Sequence, residues 1–313
     1  MIMKKHFPTI IHEISENING NNFYMKRDDL LPFCFGGNKA RKALNFFADI
    51  EKSKSDAVVT YGTCESNHCR IIANMAKSKN IPCYIISPED EYKDTYNHKL
   101  IKMLDGKIIV TKLVDVNTTI EDTMQLLHKK GYHPYFIQGG GHGNIGTEAY
   151  VSAYKEILDY ELTYHINFDY IFHASGTGTT QAGLVCGKMI NNDSKQIIGL
   201  SIARTATKGK NVVVDSAADY LGDLYAQKEI SDNVVFIDDY ILGGYSKYND
   251  AILSEIKNIF CRDGVPLNTT YTGKSFWGMK QYIKKNKILE KNILFINTGG
   301  LPIFFDNLED EPI

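Results

Sequence analysis

The stretch AVVTYGTCESNHCRIIANMAKSKNIPCYIIS, residues 57–87, decides the fold. Its first six residues, AVVTYG, are mostly apolar or β-branched and end in glycine, which is typical of a buried strand. Residues 66–80 then place apolar side chains at the spacing of one helix face. Those apolar side chains are Ile71, Ile72, Met75 and Ala76. Residues 82–87, PCYIIS, form a second predicted strand, so the whole stretch predicts one parallel βαβ unit.

The same alternation continues along the chain. Further strands are predicted at KIIVT (107–111), PYFIQ (134–138), YIFHAS (170–175), QIIGLSIA (196–203), NVVFIDDYIL (233–242) and NILFINTGG (292–300). Helices are predicted near 94–104, near 119–130, from about 143, over 179–190, near 211–226, and in two stretches before the last strand. The chain of 313 residues suffices for two cores. We therefore predict an α/β fold with two open, mainly parallel twisted sheets and flanking helices.

The composition excludes several classes of protein. Lys and Arg number 35 against 37 Asp and Glu, and a formal charge of −2 creates no field that attracts nucleic acid or an anionic membrane. No apolar run reaches membrane-spanning length, and charges interrupt the N-terminal segment, so neither a membrane span nor a signal peptide is predicted. Six cysteines without a C-x-x-C pair favour reduced thiols and a cytoplasmic location. His142 and Glu148 lack helical ligand spacing, so we predict no metal.

FGGNKARK (35–42) is the first motif that carries chemistry. Two glycines allow a tight turn and a close approach of the backbone to a ligand. Lys39 follows them, and a desolvated lysine beside other cations, here Arg41 and Lys42, becomes a nucleophilic amine. Taken without context, a solvated lysine in the first turn of a helix explains the motif as well.

SGTGTTQAGL (175–184) lies between a predicted strand and a predicted helix. Its backbone N–H groups and threonine hydroxyls suit a phosphate at a helix N-terminus. The lysine of a nucleotide-binding Walker loop is missing, and the glycine spacing differs from that of a dinucleotide fingerprint. The loop therefore favours a phosphate monoester, although a purely structural turn remains an alternative.

Other candidates also follow predicted strands. Ser66 is placed to cap the helix after the first strand, with Asn67 and His68 at its start, where a carboxylate would be stabilised. Thr298 in FINTGG ends the last strand and could meet a ring nitrogen. Tyr245 and Tyr271 are candidate phenols for acid–base work, but with 19 tyrosines most must be structural.

In this order, KRDDLLPFCFGGNKARK, ESNHCR, GGGHGNIGTEAY, SGTGTTQAGL, GGY, YTGKSFWGM and NTGGLP resemble a known enzyme family. The family is the ACC deaminase and D-cysteine desulfhydrase group of fold-type II enzymes, which have the tryptophan synthase beta-like fold and use pyridoxal 5'-phosphate (PLP). The match spans residues 26–302. It implies a PLP-dependent lyase.

The resemblance also implies roles for individual residues. Lys39 would be the Schiff-base lysine and Thr298 the partner of the pyridine nitrogen. The loop that would hold the cofactor phosphate comprises Gly176, Thr177, Gly178, Thr179 and Thr180. The residues at the substrate would be Ser66, Asn67, His68, Tyr245 and Tyr271, with Asn67 also at the cofactor. We predict Lys39, Ser66, Tyr245 and Tyr271 to be catalytic.

The family's architecture implies a small α/β domain over 48–158 that covers the cofactor. The large PLP-binding domain would comprise residues 1–47 and 159–313, and the protein would be a homodimer acting on a small amino acid.

Within the family, ACC deaminases are expected to carry Glu after the tyrosine of Y-x-G-K, whereas this chain has Thr272. A hydroxyl leaves the pyridine ring largely neutral, which suits elimination of a good leaving group. We therefore predict α,β-elimination on a cysteine-like amino acid, with D-cysteine giving pyruvate, sulfide and ammonia. Glu65, Cys69 and His142 stand where the family usually has Gln, Thr and Ser.

Five alternatives remain open from the sequence. The chain could act on L-cysteine or another β-substituted amino acid, or catalyse β-replacement. It could be an ACC deaminase. It could also bind PLP without catalysis, or be a nucleotide-binding module.

Overall fold

The computed structural model describes residues 7–63, 65–89 and 95–310. The strands within these ranges are β1 (Ile11–Glu13), β2 (Asn22–Arg27), β3 (Ala57–Tyr61), β4 (Cys83–Pro88), β5 (Lys107–Thr111), β6 (Pro134–Ile137), β7 (Tyr170–Ser175), β8 (Gln196–Ser201), β9 (Val235–Ile237) and β10 (Asn292–Asn297). The α-helices are α1 (Asn38–Ser53), α2 (Asn67–Ser78), α3 (Tyr96–Met103), α4 (Val116–Lys129), α5 (Asn144–Tyr164), α6 (Thr179–Ile190), α7 (Ala206–Leu221), α8 (Gln227–Asp232), α9 (Asp250–Asp263), α10 (Thr272–Lys285) and α11 (Leu301–Asp310).

The strands form two sheets. One has six strands in the order β1-β2-β10-β7-β8-β9, and the other has four in the order β5-β4-β3-β6. Pairing is parallel throughout, except for the antiparallel pair of β1 and β2. The predicted fold class, two mainly parallel sheets flanked by helices, is confirmed.

Burial on both faces explains the apolar strands. In β3 the first four residues are buried, because α1 and α2 pack on one side of the four-stranded sheet and α4 on the other. Helices α5, α6 and α7 cover one face of the six-stranded sheet, and α9 and α10 cover the other. Parallel sheets need such cover, since their strands have no solvated face.

Several boundaries differ from the predictions. The helix predicted near 211–226 begins earlier, at Ala206, and ends at Leu221. The Asp238 carboxylate accepts a hydrogen bond from Ala206 N at 2.6 Å, a distant cap that local sequence does not show. Strands β1 and β2 were not predicted. The start of the helix predicted from residue 94 lies outside the described residues.

The four-stranded sheet comes from residues 57–137, and the six-stranded sheet from residues on either side of them. The domain boundaries at 47/48 and 158/159 stay a prediction. Among the described residues, no helix combines the length and apolar character needed to cross a membrane. The described cysteines carry free thiols, and Cys64 lies outside the described residues.

Candidate active site

A cavity of about 470 Å³ lies where parallel strands of both sheets end. Residues that follow β3, β6, β7, β8 and β10 line it, together with the first turns of α1, α2 and α6. In open α/β sheets, ligands bind outside the carboxyl ends of the strands. The fold therefore directs the ligand to this cavity.

Lys39 reaches the cavity from the first turn of α1. The loop before it is unusual, because four consecutive residues, Cys34 to Gly37, have positive φ, from 40° to 95°. Gly37 N donates to the Asp28 carbonyl at 2.7 Å, and Asn38 N donates to the Thr298 carbonyl at 3.0 Å. A Cβ on Gly37 would lie 2.6 Å from the Thr298 oxygen, so only glycine fits there.

The Lys39 amine donates to the Gly140 carbonyl at 3.1 Å. Burial lowers the pKa of this amine to about 8, so a useful fraction is unprotonated near neutral pH. Arg41 does not supply the nearby positive charge that we expected, because its guanidinium binds the carboxylates of Asp28 and Glu156 instead. The lowered pKa of Lys39 therefore comes from desolvation.

Lys42 is the second amine of this region and is fully buried. Its Nζ lies 3.5 Å from the same Gly140 carbonyl. Burial, reinforced by the Lys39 charge, lowers the pKa of Lys42 well below its ordinary value. An anion held nearby would restore its charge, since an opposite charge favours the protonated form of an amine.

The loop Gly176–Thr180 forms a cradle at the start of α6. Gly178, the N-cap residue, has a φ of 90°, and no side chain caps the helix. The first-turn N–H groups of a helix have no acceptor within it, so they are suited to bind an anion. Gly140 lies against this loop, since a Cβ there would be 2.8 Å from Thr177 Cγ2. Lys39 and Lys42 both contact the carbonyl of Gly140, so their amines lie next to the cradle.

Side chains of the loop have different surroundings. Thr177 and Thr180 line the cavity, and Thr180 Oγ1 accepts from Asn38 Nδ2 at 3.1 Å. Thr179 is buried outside the cavity lining, with its hydroxyl 2.9 Å from His142 Nδ1. His142, which stands where the family usually has Ser, therefore supports the loop and does not line the cavity.

Ser66, Asn67 and His68 lie together at the start of α2 and line the cavity. Ser66 caps the helix as predicted, accepting from His68 N at 3.1 Å. Thr60 donates its only hydroxyl hydrogen to the Ile137 carbonyl, so its oxygen must accept from His68 Nε2, 2.8 Å away. Burial, followed by the charges of nearby lysines, lowers the pKa of His68 well below its ordinary value. His68 is thus a neutral, fixed tautomer.

Tyr245 and Tyr271 both line the cavity, and their hydroxyl groups are hydrogen bonded to each other. Burial raises the pKa of Tyr271 well above its usual value, and the Tyr245 hydroxyl adds to the effect. Lys274 holds the Tyr245 loop by donating to the carbonyls of Ile241 and Gly244, at 3.1 and 2.8 Å. Tyr271 therefore keeps its hydroxyl proton at neutral pH.

Thr272 does not line the cavity. It is fully buried, and its hydroxyl accepts from the backbone and side-chain nitrogens of Asn268, both at 3.0 Å. No Asp or Glu lines the cavity among the described residues. The carboxylate expected of an ACC deaminase directly after Tyr271 is therefore replaced by a threonine that does not line the cavity.

The cavity also contains residues that the motifs did not single out. They are Arg204, which follows β8, and Gln138, which follows β6. Gln138 is the last residue of one predicted strand and Arg204 directly follows another, and that was the only available signal. Among the described residues, no group of three or more His, Cys, Asp or Glu side chains could hold a metal ion.

A family model described as pyridoxal-phosphate dependent enzyme matches residues 3–299. The chain belongs to this family. Its cofactor is therefore PLP, and the site fits it, because an uncapped helix N-terminus suits the phosphate and a buried amine of lowered pKa suits the aldehyde.

Relatives of this PLP-dependent enzyme carry related names. Proteins of Pyrococcus furiosus and Pyrococcus horikoshii are each 31% identical to it and are named "Putative 1-aminocyclopropane-1-carboxylate deaminase". The matches cover 90% and 95% of this chain, and 85% and 88% of the relatives. A solved ACC deaminase homologue is 29% identical, with a TM-score of 0.81, over 97% of this chain and 93% of that one.

More distant structures share the fold alone. A hydrogen sulfide-producing enzyme from Fusobacterium nucleatum has a TM-score of 0.67 at 17% identity, over 93% of this chain and 95% of that one.

The lowered pKa of Lys39 predicts how PLP enters the protein. Only the neutral amine attacks an aldehyde, so the rate of PLP incorporation into PLP-free protein should rise as pH rises through about 8. Between pH 7 and 9 the rise should be roughly tenfold, against roughly 100-fold for a lysine of ordinary pKa. Stopped-flow absorbance over this range measures the rate. A rise that is still 100-fold would contradict the burial of the amine.

Proposed function

We propose that this enzyme is a PLP-dependent lyase that performs α,β-elimination on a cysteine-like amino acid, with D-cysteine as the best candidate substrate. The products would be pyruvate, sulfide and ammonia. The observation that carries the proposal is the missing carboxylate, since Thr272 does not line the cavity and no acidic side chain lines it among the described residues.

The proposed cofactor contacts follow from the cavity. Lys39 would join the PLP aldehyde, and the cradle Gly176–Thr180 would hold the phosphate, with Lys42 as a second cation beside it. Thr298 would face the pyridine nitrogen with a hydroxyl, which leaves the ring largely neutral. A neutral ring is sufficient where the substrate carries a good leaving group.

The substrate carboxylate has two candidate partners in the cavity. Arg204 is a cation in the lining, and the start of α2 presents the positive end of a helix next to Ser66. Glu65 adds a negative charge here that would oppose carboxylate binding, and its charge also contributes to the raised pKa of Tyr271.

Bound PLP supplies the electron sink that allows a proton to leave the substrate Cα. We propose that the unprotonated Nζ of Lys39 accepts this proton, since burial lowers its pKa to about 8. Tyr271 or Tyr245 would then donate a proton to the departing sulfur, because both line the cavity and their hydroxyls adjoin each other. Addition of one water completes the balance of cysteine to pyruvate, ammonia and hydrogen sulfide.

The test is an assay of the purified, PLP-loaded protein with D-cysteine and L-cysteine in parallel, with pyruvate and sulfide quantified. Equal amounts of pyruvate and sulfide from D-cysteine would support the proposal. Release from L-cysteine alone would preserve the reaction type and reverse the stereochemistry. Neither product from either enantiomer would contradict cysteine elimination and favour β-replacement or PLP binding without catalysis.

ACC deaminase is the second candidate, because the relatives at 31% identity carry that name. Conversion of ACC to 2-oxobutyrate and ammonia in the same assay would establish it. We expect no 2-oxobutyrate.

We further propose that the enzyme is a homodimer, as the family resemblance implies, and that it is cytoplasmic, as the absence of a C-x-x-C pair favours. Light scattering coupled to size exclusion would give about twice the 35.3 kDa chain mass if this is right.

A further inference from the structure

Asn67, the first residue of α2, has its side-chain oxygen occupied twice. Its Oδ1 accepts from Arg70 Nη1 at 2.7 Å and from Asn97 Nδ2 at 3.1 Å. A guanidinium only donates hydrogen bonds, so the oxygen of the Asn67 amide must face Arg70. The NH₂ end of this amide is therefore the end left for the cavity, which Asn67 lines.

The Asn97 amide is fixed by the same reasoning. Its Oδ1 accepts from Arg70 Nη1 at 2.6 Å, and its Nδ2 also donates to the Glu65 carbonyl at 2.7 Å. An inverted Asn97 amide would set N–H against N–H at Arg70 and oxygen against oxygen at Glu65. Arg70 Nη1 thus fixes both amides directly, and Asn97 adds a second donor to Asn67 Oδ1.

The position of the Asn67 nitrogen agrees with this direction. A Cβ built on Gly300 would lie 3.2 Å from Asn67 Nδ2, which puts the NH₂ group beside the end of β10. Thr298 and Gly299 at that strand end also line the cavity. The Asn67 amide therefore presents donors to the same region as the residues proposed for the pyridine ring.

The buried position of Arg70 is energetically unfavourable. It is fully buried, and its Nε and Nη2 atoms have no hydrogen-bond partner among the described residues. Burial lowers the pKa of its guanidinium to about 10, an effect that the neighbouring Cys34 partly opposes. It stays charged at neutral pH, and burying a charge that no described carboxylate pairs with destabilises a fold. A charge retained under such conditions next to a cavity indicates a role in the site.

We propose that Arg70 and Asn97 are positioning residues that hold the Asn67 amide with only its NH₂ group toward the cavity, as donor to the aromatic oxygen of PLP. This inference rests on the placement of Asn67 at the cofactor that the family resemblance implies. A donor stabilises the anionic form of that oxygen, whereas a flipped amide would place its carbonyl oxygen against it. Arg70 acts through Asn67 and is not itself a catalytic residue.

The test compares the PLP-loaded enzyme with Arg70→Met, Asn67→Ala and the double variant. The readouts are the visible absorption spectrum of the bound cofactor and the dissociation constant of PLP. Each single variant should change the spectrum and weaken PLP binding roughly tenfold, the effect of one lost hydrogen bond to a charged group. If Arg70 acts through Asn67, the double variant should show no loss beyond that of Asn67→Ala.

Independent losses that add in the double variant would overturn the proposal, because Arg70 would then act on the cofactor by its own charge. An unchanged spectrum in Arg70→Met would overturn it as well. An unchanged spectrum in Asn67→Ala would show that Asn67 does not contact the cofactor, which refutes the underlying placement. None of these readouts uses a substrate, so they leave the proposed reaction to its own assay.

Asn97→Ala gives the same test with less risk to folding. It removes one of the two donors to Asn67 Oδ1 and keeps the Arg70 charge. It should produce a smaller spectral change in the same direction, and none in the Asn67→Ala background. Thermal melting of each variant, with PLP bound, confirms that the spectra are those of folded protein. A spectrum of Asn97→Ala identical to that of the unmodified enzyme would count against the positioning role.

Discussion

Replacement of Lys39 with alanine is expected to lower kcat/KM by roughly 10⁴-fold or more, because one amine is proposed both to join the cofactor and to accept the α-proton. Its Nζ lies at the cavity, 3.1 Å from the Gly140 carbonyl, and burial lowers its pKa to about 8. Steady-state release of pyruvate with the preferred substrate measures the loss. The variant should also lose the absorption of lysine-bound PLP.

The matched control is Lys285→Ala. Lys285 is exposed and pairs with Asp239 on the surface, so its removal should leave kcat/KM unchanged. Small amines added to Lys39→Ala should restore part of the rate, since they can take over the proton transfer. Turnover by Lys39→Ala without added amine would contradict the assignment and direct attention to Lys42, the other amine near Gly140.

The helix that carries Lys39 illustrates which features of the site can be predicted from the sequence and which cannot. The motif predicted a lysine at a tight glycine turn, and the structure places Lys39 at the cavity. The expected effect of Arg41 was wrong, and helix geometry explains why. Residues three apart share a helix face, so Lys42 lies with Lys39, whereas Arg41 is two positions on and points to Asp28 and Glu156.

Other residues of the site could be identified only from the three-dimensional structure. The strand-to-helix loops at Ser66 and Gly176 were recognisable because their glycines and hydroxyls form local patterns. Arg204 and Gln138 belong to no such pattern, and they reach the cavity only because β8 and β6 end beside it. The pairing of Arg70 with Asn97, 27 residues apart, likewise depends on how α3 packs against α2.

Strand pairing between distant segments similarly limits how much of the fold can be predicted from the sequence. The βαβ units were predictable because periodicity within each segment decides between strand and helix. Strands β1 and β2 have three and six residues and pair antiparallel with each other, so they carry no such alternation with helices. β2 acquires its place by pairing in parallel with β10, at the other end of the chain.

The segment that follows β2 carries a buried ionic cluster behind the Lys39 helix. Asp28 is its centre and is fully buried. Its carboxylate accepts from Arg41 Nη2 at 2.8 Å, from the Tyr150 hydroxyl at 2.6 Å and from the Thr9 hydroxyl at 2.8 Å. Lys26 lies 3.9 Å away. Because Arg41 belongs to α1 and Tyr150 to α5, the cluster joins elements on which the position of Lys39 depends.

Replacement of Asp28 with alanine should therefore destabilise the fold by about 3–5 kcal/mol, since it leaves buried cations without their full set of partners. Urea unfolding followed by circular dichroism measures this, with Asp232→Ala, at an exposed pair with Lys228, as a control that should cost well under about 1 kcal/mol. Burial alone would raise the pKa of Asp28, but the charges of Arg41 and Lys26 outweigh it and lower the pKa to about 2.

A pKa lowered on folding stabilises the protein above the unfolded value of 3.8, and that stabilisation disappears as pH falls toward 2. The unmodified protein should thus lose about 2 kcal/mol from this group between pH 4 and pH 2, a loss that Asp28→Ala should not show. If the free energy of unfolding of both proteins falls equally as pH is lowered, Asp28 is not held as an anion by Arg41 and Lys26. A destabilisation equal to that of Asp232→Ala would mean that the cluster contributes no more than a surface ion pair.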